Sequence, residues 1–309
     1  MNNKEKNYIS AVLYLHNNEN KIAKFLCELC IQFENHFNQF EIIIVDDASS
    51  DNSIKKVKEV ANNFSSISIS IIHMGYFQGL ESSMRAGVDL AIGDYVFEFD
   101  KIVNDYGEDM IFMVYQRALE GNDIVAACNN EALGSSKLFY KIFNHFGNYE
   151  SKLQSDTFRI ISRRGLNRIK SMNATIIYRK VLYASCGLNT SIIQYNGKKA
   201  QIEDDKEIQI RGRLAVDSIL IFTDFGYKIS LTITSIIMLI LVSVSVYTIY
   251  IYLQREPVQG WVSTMLFLSF SFFGVFIILT IILKYLSLLL DLILKKKEYI
   301  ISEIEKARN

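Results

Sequence analysis

At 309 residues the chain has room for one large domain or two modest ones. Its 33 basic side chains balance 33 acidic ones, so no global basic field argues for nucleic acid as a partner. Four cysteines are too few for a disulfide framework, and an apolar half of the chain is high for a soluble enzyme.

From Tyr8 to Cys128 short β-branched runs alternate with helical patterns. The runs Ile9 to Leu15, Ile42 to Val45, Ile67 to Ile72, Tyr95 to Phe99 and Ile124 to Cys128 read as strands. Between them, Asn20 to Phe37, Asn52 to Phe64, Gly79 to Ile92 and Glu108 to Glu120 read as helices. This alternation predicts an α/β domain with a mainly parallel, Rossmann-like sheet over residues 1–210. Cys27 and Cys30 sit among Ile22, Leu26, Leu29 and Phe33 at helical spacing, so they read as core cysteines rather than half a zinc site. Met1 to Asn7 is polar and the strand after it is too short for a signal peptide, so this domain is expected in the cytoplasm.

Ligands of such sheets bind beyond the carboxyl ends of the strands. The second strand ends in Asp46-Asp47-Ala48-Ser49-Ser50-Asp51, two adjacent acids followed by a turn and a helix cap. These acids form an acceptor site for a base or ribose. The fourth strand ends in Glu98-Phe99-Asp100, and alternation places Glu98 and Asp100 on one face with Phe97 and Phe99 on the other. Carboxylates so placed suit Mg²⁺ or Mn²⁺ bridging a diphosphate.

Further on, Ser135 to Tyr149 and Leu214 to Phe225 carry apolar stripes that either lie in a headgroup plane or pack on the domain. Residues 211–228 are thus expected as a juxtamembrane amphipathic helix. Ile229 to Leu253 and Trp261 to Leu283 run without a charge, each longer than the ~20 residues needed to cross a bilayer. Arg211, Arg213 and Lys228 precede the first run, and Lys284 and Lys295 to Lys297 follow the second. The turn between them carries one arginine and one glutamate. The basic flanks predict a two-helix transmembrane hairpin over 229–294 with both termini inside, then a basic, helical cytoplasmic tail over 295–309.

The run Ser10 to Glu19, the run Glu41 to Asp51, and Gly79, Ala86-Gly87, Gly93 to Val96 and Phe99-Asp100 resemble the family 2 glycosyltransferases of GT-A fold. Within them, the polyprenyl-phosphate branch also ends in transmembrane hairpins. By that resemblance Asp46, Asp47 and Asp51 belong to the nucleotide-sugar site, with Glu19 and His16 lining it and Lys101 supplying charge at the diphosphate. Asp100 is then the first acid of the family's DxD metal motif, and Glu98 or Asp105 is a second carboxylate a divalent ion could take. Phe158-Arg159 matches the later FR pair near the acceptor phosphate, making Arg159 and Asp156 the catalytic candidates, with Arg163 and Arg164 as further cations. The resemblance implies transfer of a sugar, commonly from a UDP-hexose, to a polyprenyl phosphate in cell-surface polysaccharide synthesis. It also implies a bacterial plasma-membrane location, contact with the lipid bilayer, and a homo-oligomer, a tetramer in related enzymes. Several positions depart from the pattern: Tyr14 and His16 stand for the usual proline and tyrosine, Leu80 stands for a basic residue, and, at the metal and base positions, Ile102 replaces the second acid of DxD and Thr157 replaces the acid before Phe-Arg. They motivate a second reading, a non-catalytic membrane-bound relative that keeps the fold. A phosphate nucleophile is already anionic at neutral pH, so transfer to it needs a strong base less than transfer to a hydroxyl does.

Overall fold

A computed structural model describes residues 4–64, 66–131, 140, 141, 143–145, 153–172, 178–197 and 299–307, together with separate helical positions between 229 and 289. The chain forms two compact units, the first of residues 1–144, 149–205 and 297–309, the second of residues 145–148 and 206–296.

The first unit is built on one eight-stranded sheet in the order β7-β5-β6-β4-β1-β2-β3-β8. In chain order its elements are β1 (Glu5–Leu15), α1 (Glu19–His36), β2 (Phe37–Asp46), α2 (Ser53–Asn63), β3 (Ser68–Met74), α3 (Leu80–Leu90) and β4 (Tyr95–Phe99). There follow α4 (Met110–Leu119), β5 (Ile124–Asn129), β6 (Phe158–Ser162), α5 (Arg163–Ser171), α6 (Arg179–Ser185), β7 (Thr190–Tyr195) and β8 (Ile301–Lys306). Strands β1 to β4 are mutually parallel, as the alternating pattern requires, and β6 enters antiparallel between β4 and β5. The carboxyl ends of β1, β2 and β4 therefore open on one edge, with Leu15 opposite Asp46 and Leu13 opposite Phe99.

The core lies on both faces of the sheet. On one, Ile9, Leu13, Phe97 and Phe99 meet Phe25, Leu29 and Phe33 of α1. On the other, Val12, Val45 and Val96 meet Met84 and Ala86 of α3. Cys27, Cys30, Cys128 and Cys186 are all free thiols, and Cys30 is fully buried in the first layer, where burial pushes its thiol up to about 12.

Gly87 lets α3 approach the sheet closely. A Cβ built there would lie 2.4 Å from Val12 Cγ1 and 2.7 Å from Val45 Cγ2. Both valines are fully buried and have no room to retreat. Gly87→Ala is expected to cost about 1–3 kcal/mol through overpacking, read as a lower denaturant midpoint at unchanged slope. An unchanged midpoint would mean that the helix shifts freely.

The C-terminal tail departs from expectation. Residues 301–306 form not a helix but an edge strand, antiparallel to β3, with Ser70 opposite Lys306 and Ile72 opposite Ile304. Ile300, Ile301 and Ile304 have helical spacing, but β3 would otherwise present an unpaired edge, and pairing there satisfies both backbones. The tail thus belongs to the first unit rather than to a separate segment.

In the second unit the described positions are helical, and Ile236, Leu239, Leu268, Phe272 and Leu279 turn large apolar side chains outward. Among the described residues, no helix is long and apolar enough to cross a membrane. Most of the expected hairpin, all of residues 211–228 and most of Ser135 to Tyr149 lie outside the described residues.

Candidate active site

Two loops meet at the carboxyl ends of β1 and β2. In each, one non-glycine residue adopts a left-handed backbone, Asn17 at φ 46° and Ala48 at φ 54°. Such conformations cost of order 1 kcal/mol each and persist only where neighbours hold them. Here Asn17 Oδ1 accepts the Ser50 N–H at 2.8 Å, and Asn17 N–H donates to Ser49 Oγ at 3.1 Å.

The two strand-end acids are buried behind this turn. Asp47 Oδ1 accepts Gln78 N–H at 2.7 Å, while its Oδ2 accepts Gly79 N–H at 2.8 Å and the Tyr14 hydroxyl at 3.0 Å. Gly79 has φ 84°, a left-handed conformation that glycine adopts without strain, and it turns its N–H onto the acid just before α3. Asp46 Oδ1 accepts Ser49 N–H at 3.1 Å, and its Oδ2 lies 3.1 Å from His73 Nδ1. His16 Nδ1 lies 2.7 Å from the Asp47 carbonyl, and its ring meets Phe77 with centroids 4.7 Å apart. Phe77 and its neighbour Tyr76 are exposed. This edge therefore combines buried acids with exposed aromatic surface.

Asp51 and Glu19 are brought to the same edge but are spent on the backbone. Asp51 accepts Ser53 N–H and Glu19 N–H, both at 3.0 Å, while Glu19 accepts Asn52 N–H at 3.0 Å. Burial would raise the Asp51 carboxyl, but the bonds from Ser53 and Glu19 prevail and hold it below its usual range. The pair braces the starts of α1 and α2 against each other.

The acids after β4 lie in a buried ion cluster. Glu98 and Asp100 share a face, as alternation predicts, and Ile102 is buried with Phe99 in the apolar core. Arg159 of β6 stands opposite Glu98 in register. Its Nη1 donates to Glu98 at 2.9 Å, its Nη2 to Asp100, and its Nε to Asp156 at 2.7 Å. Arg179, at the start of α6, donates Nη1 to Glu98 at 2.8 Å, Nη2 to Asp100 at 2.7 Å and Nε to Glu81 at 2.8 Å. Tyr183 donates to the other Glu98 oxygen at 2.6 Å, and Lys180 pairs with Asp156. Four carboxylates (Glu81, Glu98, Asp100, Asp156) thus face three cations (Arg159, Arg179, Lys180). Burial by itself would raise the Asp100 carboxyl; Arg159 and Arg179 outweigh it and hold that group well below the carboxylate range.

The expected metal pair does not fit this arrangement. All four oxygens of Glu98 and Asp100 already accept from Tyr183, Arg159 or Arg179. Among the described residues, no group of three or more His, Cys, Asp or Glu side chains is placed to hold a metal ion. Asp105 is also committed, accepting the Tyr195 hydroxyl at 2.8 Å and Asn129 Nδ2 at 2.7 Å. The Thr157 hydroxyl bonds the same Tyr195 hydroxyl, so the departure from an acid at 157 is absorbed into this separate chain.

Arg159 and Asp156 meet, whereas Arg163 and Arg164 are bound elsewhere. Arg163 donates to the carbonyls of Gly93 and Ala91, each at 2.9 Å, and Arg164 pairs with Asp123. Lys101 is half-buried in the loop after Asp100. Sequence reasoning missed Arg179, Lys180 and Glu81. The one available signal was Arg179-Lys180 opening the otherwise apolar run Val181 to Ala184.

A mixed sheet with acids at the carboxyl ends of its parallel strands is the architecture of the GT-A transferases. A mannosyltransferase of Pyrobaculum calidifontis, solved with GDP-mannose and Mn²⁺, shares it with a TM-score of 0.55 at 12% identity, over 70% of this chain and 64% of that one. Residues 10–170, about half of the chain, match glycosyl transferase family 2, and the chain belongs to that family. Curated relatives include an undecaprenyl-phosphate 4-deoxy-4-formamido-L-arabinose transferase of Proteus mirabilis, 34% identical over 38% of this chain and 36% of its own length. A prophage bactoprenol glucosyl transferase homolog of Escherichia coli is 24% identical over 60% of this chain and 62% of its own. The chain thus spans less than two thirds of either relative.

Proposed function

We propose that this chain is a membrane-attached glycosyltransferase that moves a sugar from a nucleotide diphosphate, UDP-hexose in the first instance, onto a polyprenyl phosphate. The observation that carries this reading is the buried Asp46–Asp47 pair behind the left-handed turn at Ala48. Its cost in strain and desolvation is one a ligand site repays. The relatives named for undecaprenyl phosphate and bactoprenol support a lipid-phosphate acceptor.

Membrane attachment draws support from topology. Residues 205 and 297 both belong to the first unit, so residues 206–296 leave it and return. A segment that returns to the same domain crosses a bilayer an even number of times, in keeping with two charge-free runs and basic flanks on one side. The proposed location is the bacterial plasma membrane, with the first unit on the cytoplasmic side.

In this reading the acceptor phosphate attacks the anomeric carbon, the bond from that carbon to the diphosphate breaks, and the nucleoside diphosphate leaves. The chain's own residues contribute orientation and charge. Asp46 and Asp47 seat the nucleotide. Arg159 and Arg179 neutralise Glu98 and Asp100, removing repulsion from the region the diphosphate enters. Lys180 is the cluster's most accessible cation, its side chain 13% exposed against 2% for Arg159 and 3% for Arg179, and it is the one placed to meet a phosphate.

The test offers the full-length protein in detergent a panel of labelled nucleotide sugars with undecaprenyl phosphate, in Mn²⁺ and in EDTA. Label is expected in the lipid extract with at least one donor, at comparable rates in both media, because the acid pair is occupied by arginine. Label that stays aqueous with every donor would sink the transferase reading and favour the non-catalytic one. A strict Mn²⁺ requirement would contradict the role given to the cluster.

A further inference from the structure

We propose that Glu305, on the strand contributed by the C-terminal tail, is a positioning residue for the nucleotide edge, acting through His73 on Asp46. The inference rests on the nucleotide reading of Asp46 given above. His73 lies on β3 between β2 and β8, its Nδ1 3.1 Å from Asp46 Oδ2 and its Nε2 2.9 Å from Glu305 Oε1. Lys58 of α2 reaches both Glu305 oxygens, Oε1 at 2.8 Å and Oε2 at 3.0 Å. Bonds from Lys58 and His73 hold the Glu305 carboxyl below its usual range. With Ser49 N–H on Asp46 Oδ1, both oxygens of that acid are fixed, one by the strained turn and one by a ring that the tail orients.

A second contact runs in parallel. The Ile300 carbonyl accepts Gly75 N–H at 3.0 Å and Gln78 Nε2 at 2.7 Å, while Ile300 N–H donates to Gln78 Oε1 at 2.9 Å. Gln78 is the residue whose own N–H bonds Asp47. Each strand-end acid is therefore one residue removed from the tail. The segment that follows residues 206–296 completes the edge that the site uses.

Hydrogen-bond chemistry supplies a readout beyond folding. Carboxylates only accept, so the bonds to Asp46 and Glu305 are made together only while both ring nitrogens carry hydrogens. The charged groups on the elements around the ring are Asp46 on β2, Glu305 and, opposite His73 in register, Glu303 on β8, and, through Glu305, Lys58 on α2. A glutamine at 305 can turn its amide to donate to a bare Nε2, which satisfies the neutral ring as well.

The experiment titrates full-length protein in detergent with UDP and with GDP by calorimetry between pH 5.5 and 8.5. Glu305→Gln is expected to weaken nucleotide binding about 3- to 10-fold near pH 6 and to flatten its pH dependence, with the melting temperature unchanged. His73→Leu should weaken it further, and His73→Asn, whose amide keeps a donor near the Nδ1 position, should restore most of the loss. Lys306→Gln, exposed on the same strand and opposite Ser70 rather than His73, is the unchanged control. If the wild type binds nucleotide and Glu305→Gln binds it equally with the same pH profile, the positioning role is overturned while the function stands. If the wild type binds neither nucleotide, the functional reading itself falls, and this inference with it.

Discussion

Arg179→Ala is expected to destabilise the first unit by about 3–5 kcal/mol, because it leaves buried carboxylates without their partner. Arg179 is 2% exposed and serves Glu81, Glu98 and Asp100 at once. Without it, four acids face two cations, Glu81 loses its guanidinium, and Glu98 and Asp100 are left to Arg159 and Tyr183. The expected loss is a large fraction of a typical domain's stability of about 5–15 kcal/mol. Adding Glu98→Gln to the variant removes one stranded charge and should recover part of the loss, a coupling that additive effects at independent sites would not show. Denaturant unfolding of the single and double variants decides it. A loss below about 1 kcal/mol for Arg179→Ala would mean that the cluster is open to water.

The same cluster sets an acid limit. Burial would raise the Asp100 and Asp156 carboxyls, but Arg159 beside both, with Arg179 at Asp100 and Lys180 at Asp156, holds them below the usual range. A carboxyl whose folded value lies below its unfolded value adds stability that is complete above the unfolded value, about 3.9, and is lost as the pH falls through the folded one. Stability should therefore decline in acid below about pH 4, and Asp100→Asn should make that decline shallower.

Asp47→Asn is expected to abolish most nucleotide binding. The carboxylate holds three donors, and an amide offers one oxygen where it offered two. Its NH₂ would confront either the Gln78 N–H or the Gly79 N–H and the Tyr14 hydroxyl. Each buried donor left unpaired costs about 1–3 kcal/mol, and the loop from Gly75 to Gly79 would leave its place beside His16. A fall in affinity of at least about tenfold, the equivalent of 1.4 kcal/mol, is the calorimetric expectation. Binding within twofold of the wild type would place the nucleotide elsewhere.

Much of the sheet was legible because its signals are local. Tyr95 to Phe99 is a short aromatic and β-branched run bounded by Gly93-Asp94 and Asp100, and it forms β4 with those same bounds. β1 begins at Glu5, earlier than its apolar run, because polar Glu5 to Tyr8 gain ladder partners in Phe37 to Gln39, a non-local reward that periodicity does not encode. The tail misled for a similar reason, its isoleucine spacing favouring a helix until the open edge of β3 is known. At the site, Asp46, Asp47, Glu98 and Asp100 were identifiable from their place at strand ends, and Arg159 from the family's Phe-Arg pair. What they do was not. The partners of Arg179 lie 79 to 98 residues away in the chain, and His73 meets Glu305 across 232. Only the folded sheet reveals that the expected metal ligands are arginine ligands instead.

The most direct test of transfer to a lipid phosphate is the mass of the lipid product. Undecaprenyl phosphate recovered after incubation with a nucleotide sugar and the full-length protein in EDTA should gain the mass of one sugar less water, and the Asp47→Asn protein should yield none. Unmodified lipid after incubation with every donor, in EDTA and in Mn²⁺ alike, would contradict the assignment.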